Sequence, residues 1–373
     1  MVEIREVLSR KDLKKWVDFP NKLYKENPNY VPFLFSDEMN TFNIKINPSY
    51  EFCETRLFLA YKDNKIVGRI GGLINRAYNK KWNQNAIRFT RFDFVDDFEV
   101  SEALFNKVVE WAKEHNLTKI QGPNGFNDMD HEGMLIEGFE EFNMSFTFYN
   151  APYYIEHMER LGLIKEVDWV EYLVSVPKEI DPKFERVTSF LTRGNNFKLV
   201  TYSDRKSLKD DMYQAFKVID EAFEGLFGTV PLTDANIKQV ISDYLPVVNL
   251  DYICTVKDSD DNILATAILL PSMAKALKKH NGRMFPFGFI SILKSLKGKN
   301  DVLEMVIIAV KQEYQKQGIP AILINHLLKV FIENGVKYCE TGPELEDNES
   351  VQSMWKGFET RQHKRRRCWQ KEI

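Results

Sequence analysis

The run Gln315-Lys316-Gln317-Gly318-Ile319-Pro320-Ala321 has the residue types and spacing of an anion-binding turn. An apolar stretch, Val302 to Val310, precedes it and reads as a buried strand interrupted by one acid, Glu304. Residues 319–334 follow. There Ile319, Ile322, Leu323, Leu327, Val330 and Phe331 recur at three- and four-residue spacing and share a helical face. Pro320 suits a first helical turn, where its missing N–H leaves no helical bond unmade. Strand, short glycine turn and helix start bring unpaired N–H groups and the positive dipole end together, and phosphate is the usual anion there. Glu304 suggests a second kind of chemistry. A carboxylate inside an apolar strand has its pKa raised by burial and can take a proton from an ammonium, directly or through water. The ordinary alternative is a glutamate on the solvent side of the strand, or one paired to an arginine.

The turn is neither a GxxxxGK[ST] nucleotide loop nor a GxGxxG dinucleotide turn. It resembles the Q/R-x-x-G-x-G/A loop of the GNAT acetyltransferase superfamily, and Tyr314 just before the glutamine also fits that pattern. The resemblance implies a strand edge at Ile308, Ala309 and Val310 for the pantetheine arm of acetyl-CoA. It also implies that Gln315, Lys316, Gln317, Gly318, Ile319 and Ala321 surround the pyrophosphate. Pro320 departs from the pattern, which has Gly or Ala, and removes one amide donor. Asn348, opening a segment that ends Trp355-Lys-Gly357-Phe358, resembles the family's last motif and joins the cofactor-binding set. The family often has a tyrosine acid in that helix; Trp355 stands at or near its place, and an indole N–H cannot supply a proton as a phenol can.

The chain that must position these residues has 373 of them, which suggests two domains. Hydrophobic residues make up 44% and charged residues 28%, a globular composition. The net charge of -3 gives no overall field for nucleic acid or a membrane. Cys53, Cys254, Cys339 and Cys368 lie far apart, without the paired spacing of a zinc ribbon, and fit a reducing cytosol. The N-terminus has no apolar leader and no run is long enough to span a membrane. These features predict a cytoplasmic protein with no metal, no membrane partner and no nucleic-acid partner.

Element order repeats. The first half reads as a hairpin (57–61 and 66–74), a strand at 87–95, a helix at 98–115 and a strand ending in Gly122-Pro123. A helix near 152–161 and a strand at 169–176 complete it. The second half reads as a hairpin (252–256 and 263–270), the 302–310 strand, the 319–334 helix and a strand ending in Gly342-Pro343. A helix at 349–358 and a basic strand close the chain, and helices near 207–227 and 233–244 open its second copy. This order predicts an α/β fold with mixed sheets, built from two tandem copies, 1–177 and 178–373. It is also the GNAT order, so both halves resemble that family. The first copy connects its strand and helix with Val95-Asp-Asp-Phe-Glu-Val100, which lacks glycine and whose acids would repel a pyrophosphate. The cofactor turn therefore belongs to the second copy, and the first forms a wall of the acceptor cleft.

Weaker candidates surround this frame. Glu340, Glu344 and Glu346 read mainly as solvated charge. The loop 127–133, with Asp128, Asp130, His131 and Glu132, lacks the spacing of a metal motif and reads as a hydrogen-bonded turn or an acceptor contact. The basic run Arg361 to Arg367 reads as a solvated edge strand, with contact to an anionic partner such as RNA, a nucleotide or the CoA 3′-phosphate as the alternative. Met284 and the aromatic run Phe285 to Phe289 read as a cover for the acceptor or packing between domains. The expected function is acyl transfer, acetyl in the first instance, from acetyl-CoA to a small-molecule or peptide amine, with Glu304 as base. Two alternatives remain: a non-catalytic acyl-CoA or small-ligand binder, and a two-lobed transferase using a larger acyl or aminoacyl donor.

Overall fold

The first hairpin forms because residues 57–61 and 66–74 fold back at Asp63 and Asn64. Both of these adopt left-handed backbone (φ 51° and 59°), which matches the twist of the flanking strands. The computed structural model describes residues 1–193 and 197–373. In chain order the first half contains β1 (Glu3–Glu6), α1 (Arg10–Leu23), α2 (Phe35–Thr41), β2 (Cys53–Lys62), β3 (Lys65–Asn75) and α3 (Arg76–Trp82). It continues with β4 (Ala86–Phe94), α4 (Phe98–Glu114), β5 (Lys119–Gly122), β6 (Met134–Glu137), α5 (Tyr154–Arg160) and β7 (Ile164–Ser175). The second half contains α6 (Pro182–Thr192), β8 (Lys198–Thr201), α7 (Arg205–Phe223), α8 (Asp234–Tyr244), β9 (Ile253–Lys257) and β10 (Ile263–Pro271). Then come α9 (Ala274–Lys279), α10 (Gly288–Lys297), β11 (Val302–Val310), α11 (Ile319–Asn334), β12 (Tyr338–Thr341), β13 (Glu344–Leu345), α12 (Glu349–Gln352) and β14 (Thr360–Glu372).

Both halves pack helices on both faces of a mixed sheet. On one face α4 buries Val100, Leu104, Phe105 and Val108 against Ile87, Phe89 and Phe94. Its counterpart α11 buries Ile319, Ile322, Leu323, Leu327 and Phe331 against Leu303, Met305 and Val310. On the other face Trp16 and Val17 of α1 meet Leu57, Leu59 and Leu73, while Met212, Phe216 and Ile237 of α7 and α8 meet Ile253, Ile307 and Ala309. Each such side chain contributes about 1.5–3 kcal/mol by leaving water.

The sheet is continuous through both halves, in the order β1-β2-β3-β4-β5-β14-β7-β12-β11-β10-β9-β8, with β6 beside β14 and β13 beside β7. The last strand of each half is exchanged. The C-terminal β14 lies between β5 and β7, and β7 lies between β14 and β12. The expected solvated basic edge is therefore a central strand, with Lys364 and Arg366 side chains wholly buried. Glu171 on the adjacent β7 and Glu340 on β12 beyond it neutralise them, and composition alone hides such pairing. The expected burial of Phe285 and Phe287 also fails: they are 79% and 67% exposed.

Candidate active site

In the C-terminal half the cleft opens where two parallel strands part. β11 and β12 pair from Val302 and Tyr338 as far as Met305 and Thr341; β12 then ends while β11 continues to Val310. The Gly342 N–H donates to the Met305 carbonyl at 3.1 Å and closes the base of the opening. Val306 is an extra residue in β11 relative to β10, a bulge beside the opening. A bulged residue stands outside the ladder and leaves its backbone groups available. Past Val310 the chain makes a short 3₁₀ turn, Gln312–Gln317, and enters α11 through Gly318 in a left-handed conformation (φ 78°). A side chain there would be strained.

The turn positions the predicted cofactor residues, though not as an open loop. Gln315 is exposed and donates Nε2 to the Val310 carbonyl at 3.3 Å, and Gln317 donates to the Glu313 carbonyl at 3.2 Å. Lys316 is exposed. The Ala321 N–H bonds back to Gly318, and Pro320 has none, so the Gly318 and Ile319 amides with Lys316 are the donors the turn presents. Leu191 of α6 covers Gly318; a Cβ on the glycine would lie 3.0 Å from its Cδ1. Ile308 is half-buried and Ala309 buried along the strand. Asn348 lies farther along, where its side chain caps α12 by accepting from the Val351 N–H at 3.4 Å.

In the N-terminal half the same strand geometry is bridged by side chains. β4 and β5 are parallel from Ala86 and Lys119 to Arg88 and Gln121, then part, and β4 carries a bulge at Arg91 and Phe92. The Arg91 guanidinium is buried between Glu38 and Asp130. The Phe94 N–H donates to the Tyr154 hydroxyl at 2.9 Å, and the Tyr153 hydroxyl donates to the Phe94 carbonyl. The strand edge that would meet a pantetheine arm is thus occupied by the protein's own tyrosines. Asp97 and Glu99 of the acidic turn hold Lys62.

Glu304 faces the junction of the two halves and is 1% exposed. Its carboxylate accepts from the Ser145 N–H at 3.2 Å, from the Ser145 hydroxyl and from the Ser272 hydroxyl at 2.6 Å. Burial raises its pKa, and these hydrogen bonds oppose the rise. Ser272 is partly exposed, so the carboxylate reaches solvent through a hydroxyl. Sequence reasoning missed both serines, because nothing local ties them to Glu304.

The loop 127–133 roofs the opening from the N-terminal half. Met129 packs with Val306, Ile307 and Ala309 of β11. The His131 Nδ1–H donates to the Phe146 carbonyl at 2.7 Å, the ring stacks on Phe33, and Phe146 lies beside Gly342. Two acids of this loop are walled in on most sides yet keep contact with water. Burial pushes Asp128 up to about 7, and burial with Asp128 alongside pushes Glu132 up to about 8. Both keep their protons to higher pH in the folded chain than in the unfolded one. Stability therefore falls as pH rises from about 4 to about 8. Asp128→Asn with Glu132→Gln is expected to raise unfolding free energy by about 1–2 kcal/mol at pH 9 and to leave it unchanged at pH 4, by denaturant titration. An equal effect at both pH values would show that the two acids do not titrate with folding.

On the other side of the opening the Trp355 indole donates to Glu344 at 2.8 Å, and burial pushes Glu344 up to about 7. Trp355 thus serves as a donor to a carboxyl group that can itself carry a proton. Beneath lies a buried charge cluster. Lys364 holds Glu340, Arg366 holds Glu171, and burial pushes Glu340 up to about 7 against the pull of Lys364. Glu171, Glu340 and His363 bring ligand atoms within 4.8 Å of one another, but the Lys364 ammonium already sits among them.

Residues 249–358 match the model of the acetyltransferase (GNAT) family. The matched stretch lies within the C-terminal half and contains β11, the glycine turn and α11. Protein YghO of Escherichia coli is 26% identical to the chain, over 99% of it and 95% of that protein. A protein named bacterial ceramide synthase, from Caulobacter vibrioides, is 23% identical over 82% of the chain and 79% of its own length. Among solved structures, a tandem GNAT protein from the clavulanic acid biosynthesis pathway superposes with a TM-score of 0.57 at 12% identity, covering 100% of this chain and 98% of that one. A GCN5-related N-acetyltransferase from Sphaerobacter thermophilus gives a TM-score of 0.52 at 11% identity over 100% and 95% of the chains. The chain thus has the tandem GNAT fold. That fold supports acyl-CoA-dependent N-acyl transfer as its class of reaction. No described helix is long and apolar enough to cross a membrane.

Proposed function

We propose that residues 178–373 bind acyl-CoA and that the chain transfers the acyl group, acetyl in the simplest case, to a primary amine. One contrast carries the reading: among the described residues no side chain hydrogen-bonds to the backbone of β11 from Val306 to Ala309, whereas Tyr153 and Tyr154 bond to the Phe94 backbone of β4. Ile308, Ala309 and Val310 would line the pantetheine arm, and Lys316, Gly318 and Ile319 would meet the pyrophosphate. The bulge at Val306 presents backbone groups to a thioester carbonyl, where preorganised donors help most. Glu304 takes the amine proton through the Ser272 hydroxyl. Glu344, protonated in part near neutral pH, returns a proton to the leaving thiolate. Four free, buried cysteines fit a cytoplasmic enzyme.

A ceramide is an amide, so the name of the Caulobacter relative favours N-acylation and makes a long-chain amine the first acceptor to try. The donor site is tested by calorimetry with acetyl-CoA and a long-chain acyl-CoA. Micromolar binding, about 8 kcal/mol, is expected. Gly318→Trp puts a bulky side chain at a left-handed position against Leu191 and is expected to weaken binding at least about a hundredfold, or about 2.7 kcal/mol. Absence of binding by the wild type, with its fold intact by circular dichroism, would overturn the proposal.

A further inference from the structure

The segment between β10 and β11 is an insertion whose charge and apolar surface the acyl-transfer chemistry does not use. No acid occurs between Asp261 and Asp301, while Lys275, Lys278, Lys279, Arg283, Lys294, Lys297 and Lys299 all lie there. The net charge of -3 for the whole chain hides this local excess. Two of these cations are engaged internally: Lys278 donates to the Asn27 and Tyr30 carbonyls, and Arg283 pairs with Asp18. Lys275, Lys279, Lys294, Lys297 and Lys299 are exposed and form no salt bridge among the described residues.

Beside them the segment leaves its largest apolar groups in water. Phe285 is 79% exposed, Phe287 67%, Ile290 54% and Leu293 37%. Their backbone is fixed all the same. Ile292 and Leu296 on the inner face of α10 bury against Ala274, Leu277 and Val31, and the Phe35 N–H bonds to Gly282. Ile290, Leu293, Lys294 and Lys297 fall at three- and four-residue spacing, so one outward helical face carries apolar groups and then lysines. An internal packing role would have buried the phenylalanines, and a purely solvated role would not put four large apolar groups in one place.

We propose that α10 and the aromatic turn before it seat the protein on an anionic lipid bilayer. Phe285, Phe287, Ile290 and Leu293 would enter the headgroup boundary, and the five unpaired lysines would face the acidic headgroups. An acid-free, lysine-bearing amphipathic helix with exposed aromatics has the composition of an interfacial element. The seat adjoins the reaction site: Ser272, which holds Glu304, begins the insertion, and its carbonyl accepts from the Asn300 side chain at its end. A membrane-borne amine would thus meet the cleft edge directly.

Sedimentation of the full chain with vesicles tests this. We expect it to pellet with phosphatidylglycerol–phosphatidylcholine vesicles and to stay in solution with phosphatidylcholine alone. Phe285→Ser with Phe287→Ser and Ile290→Ser, and separately Lys294→Glu with Lys297→Glu and Lys299→Glu, are each expected to weaken partitioning at least about tenfold. High salt should weaken binding of the wild type. Acyl-CoA affinity by calorimetry should not change in either variant, which separates this seat from the donor site. A wild type that ignores anionic vesicles, or variants that bind them as well as it does, would overturn the proposal. Retention instead by a protein partner, with no vesicle binding, would overturn it too.

Discussion

Arg366→Met is expected to lower the unfolding free energy by about 3–5 kcal/mol, because it takes the hydrogen-bonded partner from the buried Glu171 carboxylate and leaves it only Lys364 at 3.7 Å. Arg366 and Glu171 are each fully buried, on the exchanged strands β14 and β7. The guanidinium also donates to the Phe148 carbonyl and, at 3.2 Å, to Asn143, which tie the loop over the cleft to the sheet. Burial works to raise the Glu171 pKa, and Arg366 with Lys364 outweighs it, leaving the carboxyl below the usual range. The cost comes from the lost partner rather than from lost volume, since methionine fills most of the space. Arg366→Met with Glu171→Leu should therefore recover a good part of the loss, as replacing both members of a buried pair often does. Denaturant midpoints at constant slope would read both effects. A single variant within about 0.5 kcal/mol of wild type, or a double variant no better than the single, would show that the pair does not hold the exchanged strands.

These two strands also show what the sequence could and could not tell. The stretch from Val302 to Asn334 is legible because strand alternation, one glycine and the helical stripe of Ile322, Leu323 and Leu327 are local. The repeated order was legible for the same reason, down to the Gly-Pro strand ends. The course of β14 was not. Seven residues dense in lysine and arginine read as an edge, because the acids that hydrogen-bond to them lie 19 to 220 residues away. The aromatic turn near Phe285 failed in the opposite direction: apolar residues suggest burial, yet only packing decides which face of α10 turns inward. At the site, Glu304 stood out as an acid in an apolar strand. Ser145 and Ser272 did not, since 159 and 32 residues separate them from it. The closure of the first cleft by Tyr153 and Tyr154 was invisible too, although the acids at Asp96 and Asp97 already argued against a phosphate there.

Glu304→Gln is expected to lower kcat/KM for the amine about 10²–10³-fold, with donor affinity unchanged. The substitution keeps the shape and hydrogen-bonding reach of the side chain but not its basicity. An amine acceptor arrives mainly as an ammonium, and attack on a thioester needs the free base. The carboxylate of Glu304 meets the partly exposed Ser272 hydroxyl at 2.6 Å, so a proton leaving the amine has a route to it. Its pKa is raised by burial, which makes it a better base than a solvated glutamate at neutral pH. The wild-type rate should therefore rise with pH as Glu304 loses its proton, and the variant should lose that part of the profile. A structural role would predict something else. The amide side chain of the variant still reaches Ser145 and Ser272, so a substitution that merely loosens the junction should lower stability while keeping the pH profile. Ser272→Ala separates the cases further, since it removes the link to solvent while leaving the carboxylate and its Ser145 bonds. Full activity in Glu304→Gln, or an unchanged profile with a normal melting curve, would remove Glu304 as the base.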